Sequence, residues 1–184
     1  MMNFSRHKAI LKTTLVTALS LMAVFTSKAQ PKSVGASFSI SRIGIVYEHA
    51  FPESASFLDV SVGAETAELF VGRKNYPGIS ASLTWNIIFK EWKSSEGNDI
   101  RLYAGPGASI GYSADFRDTE GVFFGLKGKI GGECVFARNA VISLSISPVI
   151  GSHLVSYPDH YTMKFYLNGI IYSLLPEIGL KYRF

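Results

Sequence analysis

The chain ends in the stretch Leu174-Leu-Pro-Glu-Ile-Gly-Leu-Lys-Tyr-Arg-Phe184, and this stretch decides the fold. Its even-numbered positions carry apolar or aromatic side chains. The odd positions from Glu177 to Arg183 carry glutamate, glycine, lysine and arginine. A period of two is typical of a β-strand with one apolar and one polar face. The pattern therefore predicts a strand that separates two environments of different polarity.

Seven earlier segments show the same alternation, which predicts eight antiparallel strands in one all-β domain. Their apolar faces run over Val34–Ile40, Ile43–Phe51, Leu58–Ala64, Ile79–Phe89, Leu102–Tyr112, Phe124–Phe136 and Ile142–Ile150. The first hairpin needs a turn near Ser41–Ile43, where there is little room for a loop. One strand over Val34–Phe51, giving seven in total, is the alternative, although an even count is usual for antiparallel membrane barrels.

The connections between these segments alternate between short and long. The short ones are Pro52–Ala55, Lys90–Asp99 and Ala137–Asn139; the long ones are Val71–Gly78, Ala114–Gly121 and Gly151–Ile171. Short turns at one end and longer loops at the other are the usual arrangement of a membrane barrel.

Alternation alone fits two kinds of barrel. A soluble barrel buries its apolar face, whereas a membrane barrel turns that face outward to lipid. The polar face here is rich in small residues, which suit the interior of a narrow barrel: Gly35, Ser37, Ser39, Gly105, Gly107, Gly111, Ser143, Ser145 and Ser147. A solvated face would carry more Lys and Glu. The composition therefore favours an apolar exterior.

Aromatic residues cluster near the strand ends, as expected of two girdles at membrane interfaces. One set is Phe51, Phe57, Phe89, Trp92, Phe136 and Phe184; the other is Phe70, Tyr76, Tyr112, Phe116 and Tyr172. Pro106 and Pro148 fall within strands, and because proline donates no ladder hydrogen bond, they predict bulges.

The polar face also carries charged residues of both signs. They are Glu48, Asp59, Glu65, Arg101, Lys127, Lys129, Glu133, Glu177, Lys181 and Arg183. Buried charges are tolerated when they are paired, and a balanced set differs from the one-sign ring of an ion-selective pore. The set therefore predicts an ion-pair network that fills the lumen.

Residues 1–29 have the features of a secretory signal peptide. Arg6, Lys8 and Lys12 form a basic start, and Thr13–Phe25 is an apolar run shorter than the roughly 20 residues of a membrane helix. Ser27-Lys28-Ala29 is a small-x-small cleavage site. The predicted mature domain is therefore residues 30–184.

Removal of that peptide changes the charge balance. The net charge of the whole chain is +4, and residues 1–29 hold four basic residues and no acidic one. The mature chain is therefore neutral, and its composition is no argument for nucleic-acid binding. Cys134 is the single cysteine of the sequence, which excludes an intramolecular disulfide and a cysteine-based metal site.

With a signal peptide, eight alternating segments and a terminal Phe, the chain resembles the small eight-stranded outer-membrane β-barrels of Gram-negative bacteria, the OmpX/OmpA/OmpW-like group. The resemblance covers nearly the whole mature chain. It implies a location among outer-membrane lipid and lipopolysaccharide. It also implies delivery by periplasmic chaperones and the barrel assembly machinery, which would read Tyr182 and Phe184. No periplasmic domain is expected after Phe184, and no cofactor or enzymatic activity is implied.

Few residues suggest chemistry. Ser152, His153 and Asp159 are a candidate triad for hydrolysis of outer-leaflet lipid, and His153, Asp159 and His160 are a candidate metal site. Neither set matches a known motif, so polar loop residues without a catalytic role are the favoured interpretation, and no metal is expected. A small passive pore is the other alternative function.

The segment Gly151–Ile171 is the largest predicted external loop and is rich in aromatic residues. Tyr157, Tyr161, Phe165 and Tyr166 are candidates for a binding surface, since aromatic side chains on surface loops often mediate recognition. The same segment could instead fold as a lid over the barrel mouth or extend the last two strands. The sequence leaves all three possibilities open: a binding surface, a lid or a strand extension.

Overall fold

The computed structural model describes residues 31–70, 72, 77–94, 98–115, 120–136, 139–157, 159–172 and 174–184. The predicted signal peptide, residues 1–29, lies outside these ranges. Among the described residues, no helix is both long enough and apolar enough to cross a membrane.

The described residues form ten β-strands, with two one-turn helices and one 3₁₀ turn between them. The strands are β1 (Lys32–Phe38), β2 (Arg42–Phe51), β3 (Ser56–Glu65), β4 (Gly78–Lys93), β5 (Asp99–Ala114), β6 (Glu120–Phe136), β7 (Ala140–Ile146), β8 (Val149–Ser156), β9 (Tyr161–Phe165) and β10 (Glu177–Arg183). The 3₁₀ turn is Pro52–Ser54, and the helices are α1 (Ala67–Phe70) and α2 (Asn168–Ile171).

These strands close into an antiparallel barrel with eight positions. Each strand from β1 to β6 pairs with the next, and β6 pairs with both β7 and β8. β7 then pairs with β10, and β10 pairs with β1 to complete the ring. β7 and β8 share one register on β6, because Ile130 faces Ile146 and Lys127 faces Val149. They therefore occupy a single barrel position, and the predicted eight-stranded barrel is confirmed.

A turn at residues 39–41 separates β1 from β2, so the seven-strand alternative is wrong. This turn is tight because Ser39 caps it twice: its backbone N–H donates to the Arg42 carbonyl at 2.8 Å, and its hydroxyl accepts from the Arg42 N–H at 3.0 Å. A serine side chain that satisfies the turn backbone makes a longer loop unnecessary.

The two faces of the wall differ as the alternation predicts. Ile45 and Leu126 on the outer face are 62% and 74% exposed, whereas Ser33 and Ser37 on the inner face are almost fully buried. A soluble barrel would show the reverse pattern. The prediction of an apolar exterior around a polar interior is therefore confirmed.

Three expectations about individual wall residues need correction. Phe57 is buried inside the barrel, because it is one residue out of phase with the outward Leu58, and it does not join a girdle. Pro106 and Pro148 cause no bulge, since the β5–β6 and β6–β8 registers continue unshifted past them. A register shift lies instead between Ile88 and Lys90 of β4. Of the other girdle residues, Tyr76 and Phe116 lie outside the described residues, as does the side chain of Phe70.

Phe184 closes the ring at the end where both termini of the barrel lie. Its N–H donates to the Lys32 carbonyl at 2.8 Å, and its carbonyl accepts from the Lys32 N–H at 3.0 Å. Its aromatic side chain remains 60% exposed, so it can contact an external partner although its backbone is paired within the barrel.

We expect Phe184→Asp to impair assembly, because a carboxylate would stand on the apolar exterior of the wall. The measurement is the fraction of protein in the outer membrane that shows heat-modifiable gel migration. Phe184→Trp, which keeps an aromatic side chain, is the matched control. Normal assembly of Phe184→Asp would contradict the role assigned to this residue.

Candidate functional site

The lumen at the closed, terminal end is organised around Glu133. Its carboxylate accepts hydrogen bonds from Arg101, from Lys181 at 3.0 Å and from Arg183 at 3.0 Å. Lys181 also donates to Glu48 at 2.5 Å. Glu133 and Glu48 are each about 2% exposed, so their charges are stabilised by the neighbouring cations.

The next layer combines an ion pair with an aromatic pair. Lys129 donates to the Asp59 carboxylate, and both side chains are buried. Phe57 and Tyr103, each fully buried, meet edge to face with ring centroids 5.0 Å apart. The Lys129 Nζ lies 5.9 Å from the centre of the Tyr103 ring. Charged and aromatic groups of β3, β5 and β6 therefore meet inside the lumen.

Nearer the mouth, Arg42 takes a role that the sequence analysis missed. It donates to Ser80 at 2.9 Å and to Ser61 at 3.2 Å, and it lies 3.4 Å from Glu65 and 3.9 Å from Glu177. The sequence pattern placed Arg42 in a turn. Its even number, however, puts Arg42 on the same inward face of β2 as Gly44, Val46 and Glu48. Continuing that alternation one step would have found it.

The ten predicted lumen charges all face the interior, and Arg42 adds a sixth cation to five carboxylates. Lys127 donates to the hydroxyl of Ser82 at 2.9 Å and, unlike the other lumen cations, forms no ion pair with a described residue.

Above this network lies a cavity of about 290 Å³ at the mouth of the barrel. Its polar lining includes Arg42, Lys127 and Glu177, and its aromatic lining includes Phe123 and Tyr166. Two buried polar atoms of lining residues, Arg42 Nη2 and Ser147 Oγ, have no hydrogen-bond partner among the described residues. The cavity thus combines an aromatic wall with unused polar groups, as small-molecule sites do.

The cavity is covered by a lid segment, residues 166–172 and 174–176, which leaves the wall between β9 and β10. Tyr166 stacks on Phe123 with 4.4 Å between ring centroids. The backbone N–H groups of Leu167 and Asn168 donate to the Asp115 carboxylate at 3.3 Å and 3.0 Å. Asp115 follows β5 directly, so the lid is fastened to the far wall by charge-assisted hydrogen bonds.

The predicted loop Gly151–Ile171 is shorter than expected. β8 continues to Ser156, and β9 returns beside it from Tyr161 to Phe165. The structure therefore contains both a strand extension and a lid.

The four aromatic residues proposed for binding do not form one surface. Tyr166 is buried in the lid, while Tyr161 and Phe165 are exposed on the outer face of β9. Tyr157 stacks on His160 at the loop tip, with 5.0 Å between ring centroids.

The candidate triad is not assembled. Ser152 and His153 are adjacent in β8, so their side chains point to opposite faces of the wall. His153 is fully buried, and its Nε2 lies 3.1 Å from the Ser113 carbonyl oxygen. Asp159 is exposed in the loop beyond β8. Among the described residues, no three His, Cys, Asp or Glu side chains are grouped to hold a metal ion.

Comparison with known proteins finds similar solved structures. The chain is similar to the N-terminal β-barrel domain of OprF from Pseudomonas aeruginosa, at 14% identity and a TM-score of 0.45, over 84% of this chain and 96% of that one. It is also similar to a major outer membrane protein from Thermus thermophilus, at 11% identity and a TM-score of 0.48, over 85% and 100% of the two chains.

No family model matches the chain, and no curated protein matches it. The function must therefore be inferred from the chain's own residues.

The Asp59–Lys129 pair allows a test of the lumen network. We expect Lys129→Met to lower the free energy of unfolding by about 3–5 kcal/mol, because Asp59 would keep a buried charge without its partner. The double variant Asp59→Leu with Lys129→Met should recover most of that loss. Urea unfolding of the refolded barrel, followed by tryptophan fluorescence, measures both. Lys93→Met, on the exposed end of β4, is the control. Equal losses in the single and double variants would show that the pair is not coupled.

Proposed function

We propose that this protein is an integral outer-membrane barrel that does not conduct ions, performs no catalysis and holds a small molecule in its external mouth. The single observation that carries the proposal is the position of the mouth cavity. It lies between the ion pairs of the lumen and the lid segment, which contributes Tyr166, Asn168 and Tyr172 to its lining.

Insertion into a membrane is supported by the wall itself. A closed barrel pairs its backbone groups within the ring, as a spanning structure must. The apolar exterior would face lipid, and in the outer membrane the mouth end would meet lipopolysaccharide. The predicted signal peptide and terminal Phe support this location and imply handling by periplasmic chaperones and the barrel assembly machinery.

A non-conducting lumen is supported by the layers around Glu133, Asp59 and Tyr103. These side chains come from different strands and meet near the barrel axis, where an eight-stranded barrel has room for little else. An ion would have to break several buried charge-assisted hydrogen bonds to pass.

We expect planar lipid bilayers that contain the purified protein to conduct no more current than bilayers without protein. The comparison is a variant in which both layers are emptied without a change of net charge, by alanine at Glu48, Asp59, Arg101, Tyr103, Lys129, Glu133 and Lys181. It should conduct because the lumen loses the side chains that block it. Heat-modifiable migration shows that both proteins are assembled. Stable steps of current from the wild type would refute the closed lumen.

Ligand binding is supported by the chemistry of the cavity. The aromatic faces of Phe123 and Tyr166 suit an apolar group, and Arg42 Nη2 suits an oxygen acceptor such as a hydroxyl, carbonyl or carboxylate. The volume is at the low end for ligand sites, so we infer a compact molecule with one polar end.

We expect protein purified from outer membranes to carry a small molecule that native mass spectrometry detects as a mass addition. Ser109→Leu should abolish the addition, since Ser109 is buried and lines the cavity. Ala108→Leu, which places the same new side chain one residue away on the outer face, should retain it. A wild type without any addition, or equal binding by both variants, would overturn the binding site.

A further inference from the structure

Two buried cations at the inner part of the mouth cavity are connected by a row of hydrogen bonds. Arg42 Nη1 donates to Ser61 Oγ at 3.2 Å. Ser61 Oγ lies 2.8 Å from Ser82 Oγ, which also accepts from Lys127 Nζ at 2.9 Å. Arg42 and Lys127 are only 8% and 7% exposed, and both line the cavity. The two serine hydroxyls therefore hold two positive groups on the same part of the cavity wall.

The unused hydrogen-bonding groups of this row are donors. Arg42 Nη2 has no partner among the described residues, and Ser82 is the one hydrogen-bond partner of Lys127 among them. Each serine hydroxyl has one proton, and the bond between Ser61 and Ser82 uses only one of the two protons. The second hydroxyl proton, two N–H groups of Lys127 and Arg42 Nη2 are therefore free to donate to a ligand.

The carboxylates nearest these cations interact with Arg42. Glu65 and Glu177 lie 3.4 Å and 3.9 Å from Arg42, whereas Lys127 forms no ion pair with a described residue. The third acidic residue of the described lining, Glu120, begins β6, seven positions from Lys127 and about 23 Å along the strand. A buried cation without a partner is costly, so a negative charge beside Lys127 would stabilise it.

An apolar cluster begins beside Lys127 and extends to the lid. Phe123, Val149 and Tyr166 form this buried cluster, and all three line the cavity. Val149 faces Lys127 in the β6–β8 pairing, and Phe123 lies four positions from Lys127 on β6, toward the mouth. A ligand with its charged end at Lys127 would therefore place its apolar part against this cluster.

We propose that the ligand of the mouth cavity is a small monocarboxylate with an apolar body, whose carboxylate binds Lys127 Nζ and Arg42 Nη2. This inference rests on the proposed function, since it names the chemical class of the molecule held there. A carboxylate has two oxygens that only accept hydrogen bonds, which matches the donors left on the two cations. A dianion such as phosphate would add a second negative charge near Glu65 and Glu177, which is unfavourable.

A matched pair of probes tests the class of ligand: para-fluorobenzoate and para-fluorobenzamide, which has a similar shape without the charge. The mature chain is refolded from urea into phosphatidylcholine nanodiscs, which removes any molecule acquired in the cell, and titration followed by fluorine NMR measures both dissociation constants. We expect the wild type to bind the benzoate about tenfold more tightly than the benzamide, because hydrogen bonds between charged groups are the stronger ones.

Substitutions of Lys127 test whether its charge is the cause of that preference. Lys127→Met should abolish the preference and leave the affinity for the benzamide unchanged, whereas Lys127→Arg, which keeps the charge, should retain it. Lys93→Met, on the exposed end of β4, is the control and should behave as the wild type does. Heat-modifiable migration shows which variants are assembled, and the comparison of the two probes on the wild type needs no variant.

Three results would overturn the assignment of a carboxylate: equal binding of both probes by the wild type, binding of neither probe, or an unchanged preference in assembled Lys127→Met. The mass addition on protein from outer membranes then decides whether the proposed function fails as well. If the addition is present, a small molecule is held in the mouth and only its assigned class is wrong. If it is absent, both proposals are wrong.

Discussion

Backbone hydrogen bonding around a closed ring is the constraint on which the rest of this structure depends. An exterior as apolar as this one cannot solvate peptide groups, so each strand must find its partners within the wall. The β1–β10 pairing, reinforced by the mutual bonds of Lys32 and Phe184, removes the two edges that the chain would otherwise present. The outward side chains then need only be apolar.

A closed ring of eight strand positions also limits the size of the side chains that the interior can hold. Small residues on the inner face leave room between neighbouring strands and in the lumen; a Cβ at Gly151, for example, would lie 2.1 Å from the Phe124 carbonyl oxygen on the adjacent β6. The remaining volume is taken by long side chains that bridge the axis. Because these side chains are buried, most of their charges are paired with an opposite charge nearby. Beside the lid segment, space remains as the mouth cavity.

The alternating pattern was sufficient to predict the strands and the face that each residue occupies, because both depend on neighbours in the chain. Phe57 and Arg42 were misplaced because each lies near the end of its strand, just outside the segment to which the alternation was assigned. The lid and β9 are different. Tyr166 stacks on Phe123, and Asp115 holds Leu167, through contacts between residues far apart in sequence. Aromatic residues between Gly151 and Ile171 indicate that something packs there, but not which of them turns inward.

The unequal lengths of the strand pairings bear on how the barrel folds. β5 and β6 pair over sixteen positions and follow one another directly in the chain, so they can form early at little entropic cost. β1 and β10 pair over only six positions and join residues from opposite ends of the sequence. Contacts of such large sequence separation form slowly. We therefore expect closure of the ring between β1 and β10 to follow the pairing of β5 with β6 during folding, so that the two ends of the chain complete the barrel.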